Sequence, residues 1–254
     1  MDTLIINDPV PLQTLGISKA LRVLVLAPHP DDLDAIGVTA RFLLENGNPL
    51  SVVVVTAGAS GVEETFGSPS TPEGKARLRE EEQRASCQFL GLPRTQLTFI
   101  RLEEDGTGQL AENGINIDRV RQEFLSRRPA LVLLPHGHDT NLGHQRVYAA
   151  FRLAAQDAGY PVVAFLNRDP KTIQMRCDVY LGFGETAAAW KAELLRFHQS
   201  QHQRNLNQRG YGFDERILGM NRHSADACPA GASYAEVFEL EFYGASGFED
   251  LQGQ

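Results

Sequence analysis

Residues 21–32 read LRVLVLAPHPDD, and this stretch decides the fold. Val23 to Ala27 is an unbroken apolar run closed by Pro28, the pattern of a strand buried on both faces rather than one alternating between core and water. Comparable runs follow at 51–58 (SVVVVTAG), 96–102 (QLTFIRL), 130–135 (ALVLLP) and 161–166 (PVVAFL). Between them lie segments of helical spacing at about 34–46, 73–90, 116–128 and 143–157. Such alternation predicts an α/β fold: a Rossmann-like, doubly wound, mostly parallel sheet with helices on both faces, three layers deep. In sheets of this kind ligands bind beyond the carboxyl ends of the strands, so the residues after Pro28, Ala57 and Pro135 are where chemistry is expected.

The connection after the second strand, GASGVEETFGSPSTPEG (58–74), is Gly/Ser/Pro-rich and long for its place. It reads as a mobile active-site loop or as an inert surface excursion. Past residue 170 the alternation weakens. A strand is expected at CDVYLGF (177–183), a helix from about Glu185 to His202 and a last strand at AEVFELEFYG (235–244). Asn205 to Ser233 shows no periodicity and reads as loop folded over the rest. Residues 1–254 are taken as one domain, which the part from about 170 completes.

Composition narrows the function. Of 254 residues, 42% are apolar and 22% charged, the profile of an ordinary globular chain. A net charge of −8 argues against a sequence-independent grip on nucleic acid, which needs clustered Lys and Arg, and favours a small neutral or cationic ligand. The first sixteen residues, MDTLIINDPVPLQTLG, have neither a basic segment nor a sufficient apolar run for a signal peptide. No later stretch could span a bilayer, so a cytoplasmic location is expected. Cys87, Cys177 and Cys228 are odd in number and far apart, which excludes a disulfide framework and a paired-cysteine metal knuckle and leaves reduced thiols. A metal site must therefore use His and carboxylate.

His29-Pro30-Asp31-Asp32 supplies both on one turn: a His and one Asp could reach a single ion while the other Asp stays free to act on an attacking water. A third ligand is expected from elsewhere, and His144, beyond the fourth strand and its loop HGHDTNLG, should reach the same sheet edge. His, Asp and His from two strand ends would form a catalytic type of zinc site with one position open. Two plainer readings stand beside this. The HPDD turn could simply cap a helix, and His144 could serve only the start of the next one.

These residues resemble the LmbE-like (PIG-L) family of zinc-dependent N-acetylglucosaminyl deacetylases. A strand followed by His-Pro-Asp-Asp is matched by His29 to Asp32, and Pro-x-x-x-Asp-x-His-x-Asp-His is matched in part by Pro135, Asp139 and His144. Further matches in order are Thr56-Ala57-Gly58, Arg79, Glu82, Ala85, Leu90-Gly91, Asp105-Gly106, Lys191, His198-x-Ser200-Gln201 and Tyr234-Ala235-Glu236-x-Phe238. The resemblance runs from about Arg22 to Leu240 and implies a Zn²⁺ cofactor held by His29, Asp32 and His144, with Asp31 as general base. Arg79 corresponds to an arginine that reaches the substrate in relatives, although LREEEQR (78–84) could equally be a solvated helix face. His198 is expected either to approach the site or to anchor the C-terminal helix.

Three positions depart from the family: Leu33 replaces a Glu, and Asn141 and Gly143 replace a His and an Asp. The absent His is the one relatives use on the oxyanion or the leaving amine. Asn141 offers an amide donor in its place, and His136 and His138 lie nearby, with His138 the competing acid. The implied reaction is zinc-dependent hydrolysis of the N-acetyl amide of an N-acetylglucosamine-type sugar or glycoconjugate, giving acetate and an amine. The alternatives are an amidase acting on a larger sugar conjugate, another metal hydrolase such as one cleaving phosphoesters, and a non-catalytic sugar- or nucleotide-binding module. No Gly-x-Gly-x-x-Gly follows the first strand to support nucleotide binding.

Overall fold

A computed structural model of the protein describes residues 8–229 and 231–251. The first seven residues of the N-terminal stretch read above, Ala230 in the Asn205–Ser233 segment and the last three residues lie outside the described part. Eight strands form one sheet: β1 (Val10–Pro11), β2 (Val23–Ala27), β3 (Leu50–Val54), β4 (Leu97–Phe99), β5 (Leu131–Pro135), β6 (Val162–Asn167), β7 (Val179–Phe183) and β8 (Tyr234–Tyr243). Their order is β1-β7-β8-β6-β5-β2-β3-β4. All pairings are parallel except those of β8, which runs antiparallel between β6 and β7.

The unbroken apolar runs are explained by burial on two sides. Val23, Val25 and Ala27 of β2 enter one core, while Leu24 and Leu26 enter the other. Strands β3 and β5 divide in the same way, Val52 and Leu133 on one face, Val53 and Val132 on the opposite one. Helices α1 (Asp32–Ala35), α2 (Gly37–Asn46), α3 (Pro72–Leu90), α4 (Gly114–Arg127) and α5 (Leu142–Gln156) follow their strands. The doubly wound, three-layer architecture thus stands as expected. Among the described residues no helix is long and apolar enough to cross a membrane.

The C-terminal third corrects the sequence reading twice. The helix expected from Glu185 to His202 is two helices, α6 (Glu185–Arg196) and α7 (Gln199–Arg209). His198 leaves the helical region at φ −83° and ψ 64°, with its Nε2 2.6 Å from Asp34 Oδ2. No Gly or Pro marks the break, because a buried polar contact makes it. Asn205 to Ala225 is mostly helical rather than loop: α7 runs on to Arg209, and α8 (Phe213–Ala225) follows. Helix α8 buries Phe213, Asp214, Ile217, Asn221 and Ser224, so its inward face is half polar and carries no apolar period.

Asn221 of that face is paired. Lys191 Nζ, fully buried on α6, donates to Glu236 Oε1 at 2.6 Å, Asn221 Oδ1 at 2.7 Å and the Ala35 carbonyl at 2.6 Å. Glu236, on β8, also accepts the backbone N–H groups of Val38 at 3.0 Å and Thr39 at 2.7 Å, satisfying donors at the start of α2. One buried ion pair therefore ties β8, α6 and α8 to the junction of α1 and α2. Replacing Lys191 with Met should lower stability to urea by about 3–5 kcal/mol, because Glu236 is left charged and unpaired. An unchanged unfolding midpoint would show that the pair does not hold this junction.

Candidate metal centre and active site

The carboxyl ends of β2 and β5 are neighbours, since the two strands pair in parallel. From there the sheet extends through β3 on one side and β6 on the other, which makes this the switch point of the topology. His29, Asp31 and Asp32 lie on the turn between β2 and α1; His144 lies in the first turn of α5, beyond β5.

Ring nitrogens of His29 and His144 and an oxygen of Asp32 lie within 4.8 Å of one another. His144 Nε2 is 3.3 Å from Asp32 Oδ1, and His29 Nδ1 is 3.4 Å from Asp32 Oδ2. Donors bonded to one tetrahedral ion at 2.0–2.1 Å stand about 3.3 Å apart, so each imidazole stands from one Asp32 oxygen at the length of a coordination edge. Asp139, fully buried, faces the other His144 nitrogen, Nδ1, at 3.1 Å. That contact fixes the ring and leaves Nε2 for the ion, the usual support for a metal-ligating histidine. Asp139, His144 and Asp169 also lie within 4.8 Å, but with Nδ1 engaged by Asp139 they form the support of the same centre.

The electrostatics agree. Burial opposes charge on His144, yet Asp32 and Asp139 outweigh it and raise its pKa well above the ordinary value. Burial likewise pushes the Asp32 carboxyl up, but His144 and His29 hold it well below the usual carboxylate range. The same negative potential that keeps a proton on His144 would favour a divalent cation, whose binding releases that proton.

Asp31 is differently placed. It occupies the N-cap position of α1 at φ 109°, in the left-handed region, and its side chain makes no capping hydrogen bond. Its backbone N–H donates to Gln83 Oε1 at 2.8 Å, and Oδ1 is 3.2 Å from Arg79 Nη2. Simple helix capping therefore does not account for this aspartate. Burial pushes the Asp31 carboxyl up, against the pull of Arg79, towards a better proton acceptor. Arg79 itself is buried beneath the turn, where Nη2 also donates to the Pro30 carbonyl, so the reading of a solvated helix face is set aside.

Other expected residues divide. Asn141 caps α5, its Oδ1 accepting from the Gly143 N–H at 2.9 Å, and it lines the cavity with its amide nitrogen uncommitted. His138 is not brought to the cavity: it is exposed, packs its ring on His136 at 5.2 Å and donates its backbone N–H to His136 Nδ1. His136 in turn pairs with Glu239 at 3.2 Å. His198 lies beneath the site as Asp34's partner, the anchoring role. The 58–74 segment is not inert: Gly58, Ser60 and Gly61 line the cavity, and Gln201 Nε2 holds the Gly61 carbonyl at 3.0 Å.

Among the cavity residues that the sequence did not single out are Gln109, Asp169, Lys171 and Arg216. Gln109 Oε1 also accepts the Gly143 N–H, at 2.9 Å. The Gly143 departure thereby has a steric account: a Cβ there would lie 2.9 Å from His29 Nε2 and 2.7 Å from Gln109 Oε1. In this chain a side chain at that position would displace the His29 ring.

Residues 24–155 match the family model described as GlcNAc-PI de-N-acetylase, PIG-L. Among solved structures, N,N'-diacetylchitobiose deacetylase from Pyrococcus horikoshii is similar at 17% identity and a TM-score of 0.73, covering 91% of this chain and 86% of its own. A triple mutant of a deacetylase of teicoplanin biosynthesis follows at 18% identity and 0.69, covering 89% and 100%. Teicoplanin deacetylase is also known in a zinc-inhibited form. A third neighbour is the 4-carboxy-2-hydroxymuconate hydratase of Pseudomonas putida, at 19% identity and 0.67, covering 89% and 98%. At these identities the likenesses show the fold. No curated protein matches the chain.

The support of His144 is testable apart from its ligand role. Asp139→Asn should weaken metal binding about 10- to 100-fold, read by competition with a chelator, while the chain stays folded. Gly143→Ala should weaken it too, by displacing His29; unaltered affinity in both variants would exclude this centre.

Proposed function

Because the chain belongs to the PIG-L family of GlcNAc-PI de-N-acetylases, we propose that it hydrolyses the N-acetyl amide of an N-acetylglucosamine-type sugar or glycoconjugate, releasing acetate and a free amine. The observation that carries this reading is a three-donor cluster of His29, Asp32 and His144 beside an aspartate, Asp31, that neither caps a helix nor belongs to the cluster. The fold alone would not choose the reaction, since a hydratase shares it.

We assign the metal as zinc, from two imidazoles and one carboxylate with a fourth position open. Bound there, it supplies a Lewis acid and makes water acidic enough to attack at neutral pH. Asp31 takes the proton of the attacking water, and its carboxylate is kept in place by Arg79. As the carbon–nitrogen bond breaks, the same carboxyl returns the proton to the departing nitrogen. His138 is outside the cavity, so Asp31 carries the proton both ways. Asn141 donates its side-chain N–H to the developing oxyanion, and Arg79 lines the cavity behind Asp31.

We assign the activity to the cytoplasm and to the whole chain acting as one domain. The direct test is acetate release from N-acetylated amino sugars, abolished by a chelator and restored by zinc. Asp31→Asn should keep the zinc and lose about 10²- to 10⁴-fold in kcat; loss of zinc would instead make Asp31 a ligand. Asn141→Ala should reduce kcat by about 10²- to 10³-fold without moving the pH profile.

A further inference from the structure

Gln109 reaches the cavity from the segment between β4 and α4, and Asp105 fixes that segment. Asp105 Oδ1 accepts the backbone N–H groups of Thr107 at 2.8 Å and Gln109 at 3.2 Å, and the Asp105 N–H donates to the Gln109 carbonyl at 2.7 Å. Arg146 Nη1, on α5, donates to Asp105 Oδ2 at 2.5 Å and to the Leu110 carbonyl at 2.7 Å. The backbone around Gln109 is therefore tied to the helix that carries His144.

The Gln109 side chain is held at one end and free at the other. Its Oε1 accepts the Gly143 N–H at 2.9 Å, the same N–H that Asn141 Oδ1 accepts at 2.9 Å. Only the oxygen of a primary amide can accept, so each contact sets which way its amide is turned. Two amide oxygens thus meet at one N–H, and neither amide nitrogen has an acceptor among the described residues. Gly143 makes the meeting possible. A Cβ there would stand 2.7 Å from Gln109 Oε1 and 2.9 Å from His29 Nε2, so the Gln109 amide and the His29 ring flank a space too narrow for a side chain. Gln109 and Asn141 therefore lie together at the edge of the donor cluster, and both line the cavity.

We infer that Gln109 is a second donor to the acyl oxygen: its side-chain N–H, with that of Asn141, stabilises the negative charge that develops as the amide carbonyl is attacked. The inference rests on the deacetylase reading, which by itself assigns only Asn141 to that oxygen. An oxyanion accepts more than one hydrogen bond, and donors already turned by a contact elsewhere need no reorganisation when the charge appears.

The test uses two variants. Q109E keeps an oxygen for the Gly143 N–H but has no N–H to give, and Q109L removes both without adding charge. In each, kcat for an N-acetylated amino sugar should fall about 10²- to 10³-fold, while zinc affinity, read by competition with a chelator, should not fall. Calorimetry supplies a readout apart from turnover. A methylphosphonamide of glucosamine, tetrahedral and anionic at the acyl position, should bind both variants about tenfold or more weakly, and glucosamine, which lacks the acyl oxygen, should bind them as it binds the wild type. Should Q109L fail to fold, Q109E decides. Acetate release by the wild type, with kcat and analogue binding unaltered in the variants, would overturn the assignment and leave the deacetylase standing. Zinc affinity lost in step with kcat would overturn it too, making Gln109 a prop for His29. If the wild type releases no acetate, the deacetylase reading fails and the analogue decides: weaker binding to the variants sustains the donor, and equal or absent binding ends it.

Discussion

The parallel pairing of β2 with β5 is the constraint on which the site depends. Val23 lies opposite Leu131 and Val25 opposite Leu133, so two strands far apart in sequence end side by side. Their side chains, divided between two cores, fix that register, because a slip of one residue would exchange the faces of every Val and Leu. His29 and Asp32 on one strand end and His144 beyond the other then need only short turns to meet. The helical start of α5 gives Asn141 a cap to make and places Gly143 against His29, leaving His144 one turn in.

Beneath the metal turn the interior is unusually polar, and each polar group has structural work. Asp34 accepts from Gln83 at 2.9 Å and Ser86 at 3.1 Å as well as facing His198, which binds α3 and the break between α6 and α7 to the turn. Glu82 accepts from the Ser200 N–H and hydroxyl, both at 2.7 Å, fixing the start of α7. Helix α7 is thus oriented by the same buried polar layer that lies beneath the turn of His29 and Asp32.

Much of this was legible in the residues. Continuous apolar runs announced two-sided burial, and the HPDD turn and His144 come together as expected, because strand ends of a doubly wound sheet converge. What escaped was whatever depended on long-range polar contact. The break at His198 has no local signal, since Asp34 from another helix draws the ring inward. Helix α8 was hidden by Asp214, Asn221 and Ser224 on its buried face, where a periodicity test expects apolar residues. Gln109 and Asp169 stand in loops with no motif around them, and only the folded chain places them in the cavity. His138 shows the opposite case: nearness in sequence to the missing histidine did not bring it into the cavity.

Strand β8 gives the architecture a temporal order. It lies between β6 and β7 rather than at an edge, yet it is synthesised after both. Until residues 234–243 leave the ribosome, β6 and β7 have no strand between them, and each exposes an open hydrogen-bonding edge. Lys191 and Asn221 meanwhile wait for a carboxylate that arrives only with Glu236. A nascent or prematurely terminated chain that lacks β8 therefore leaves two open strand edges at the middle of its future sheet.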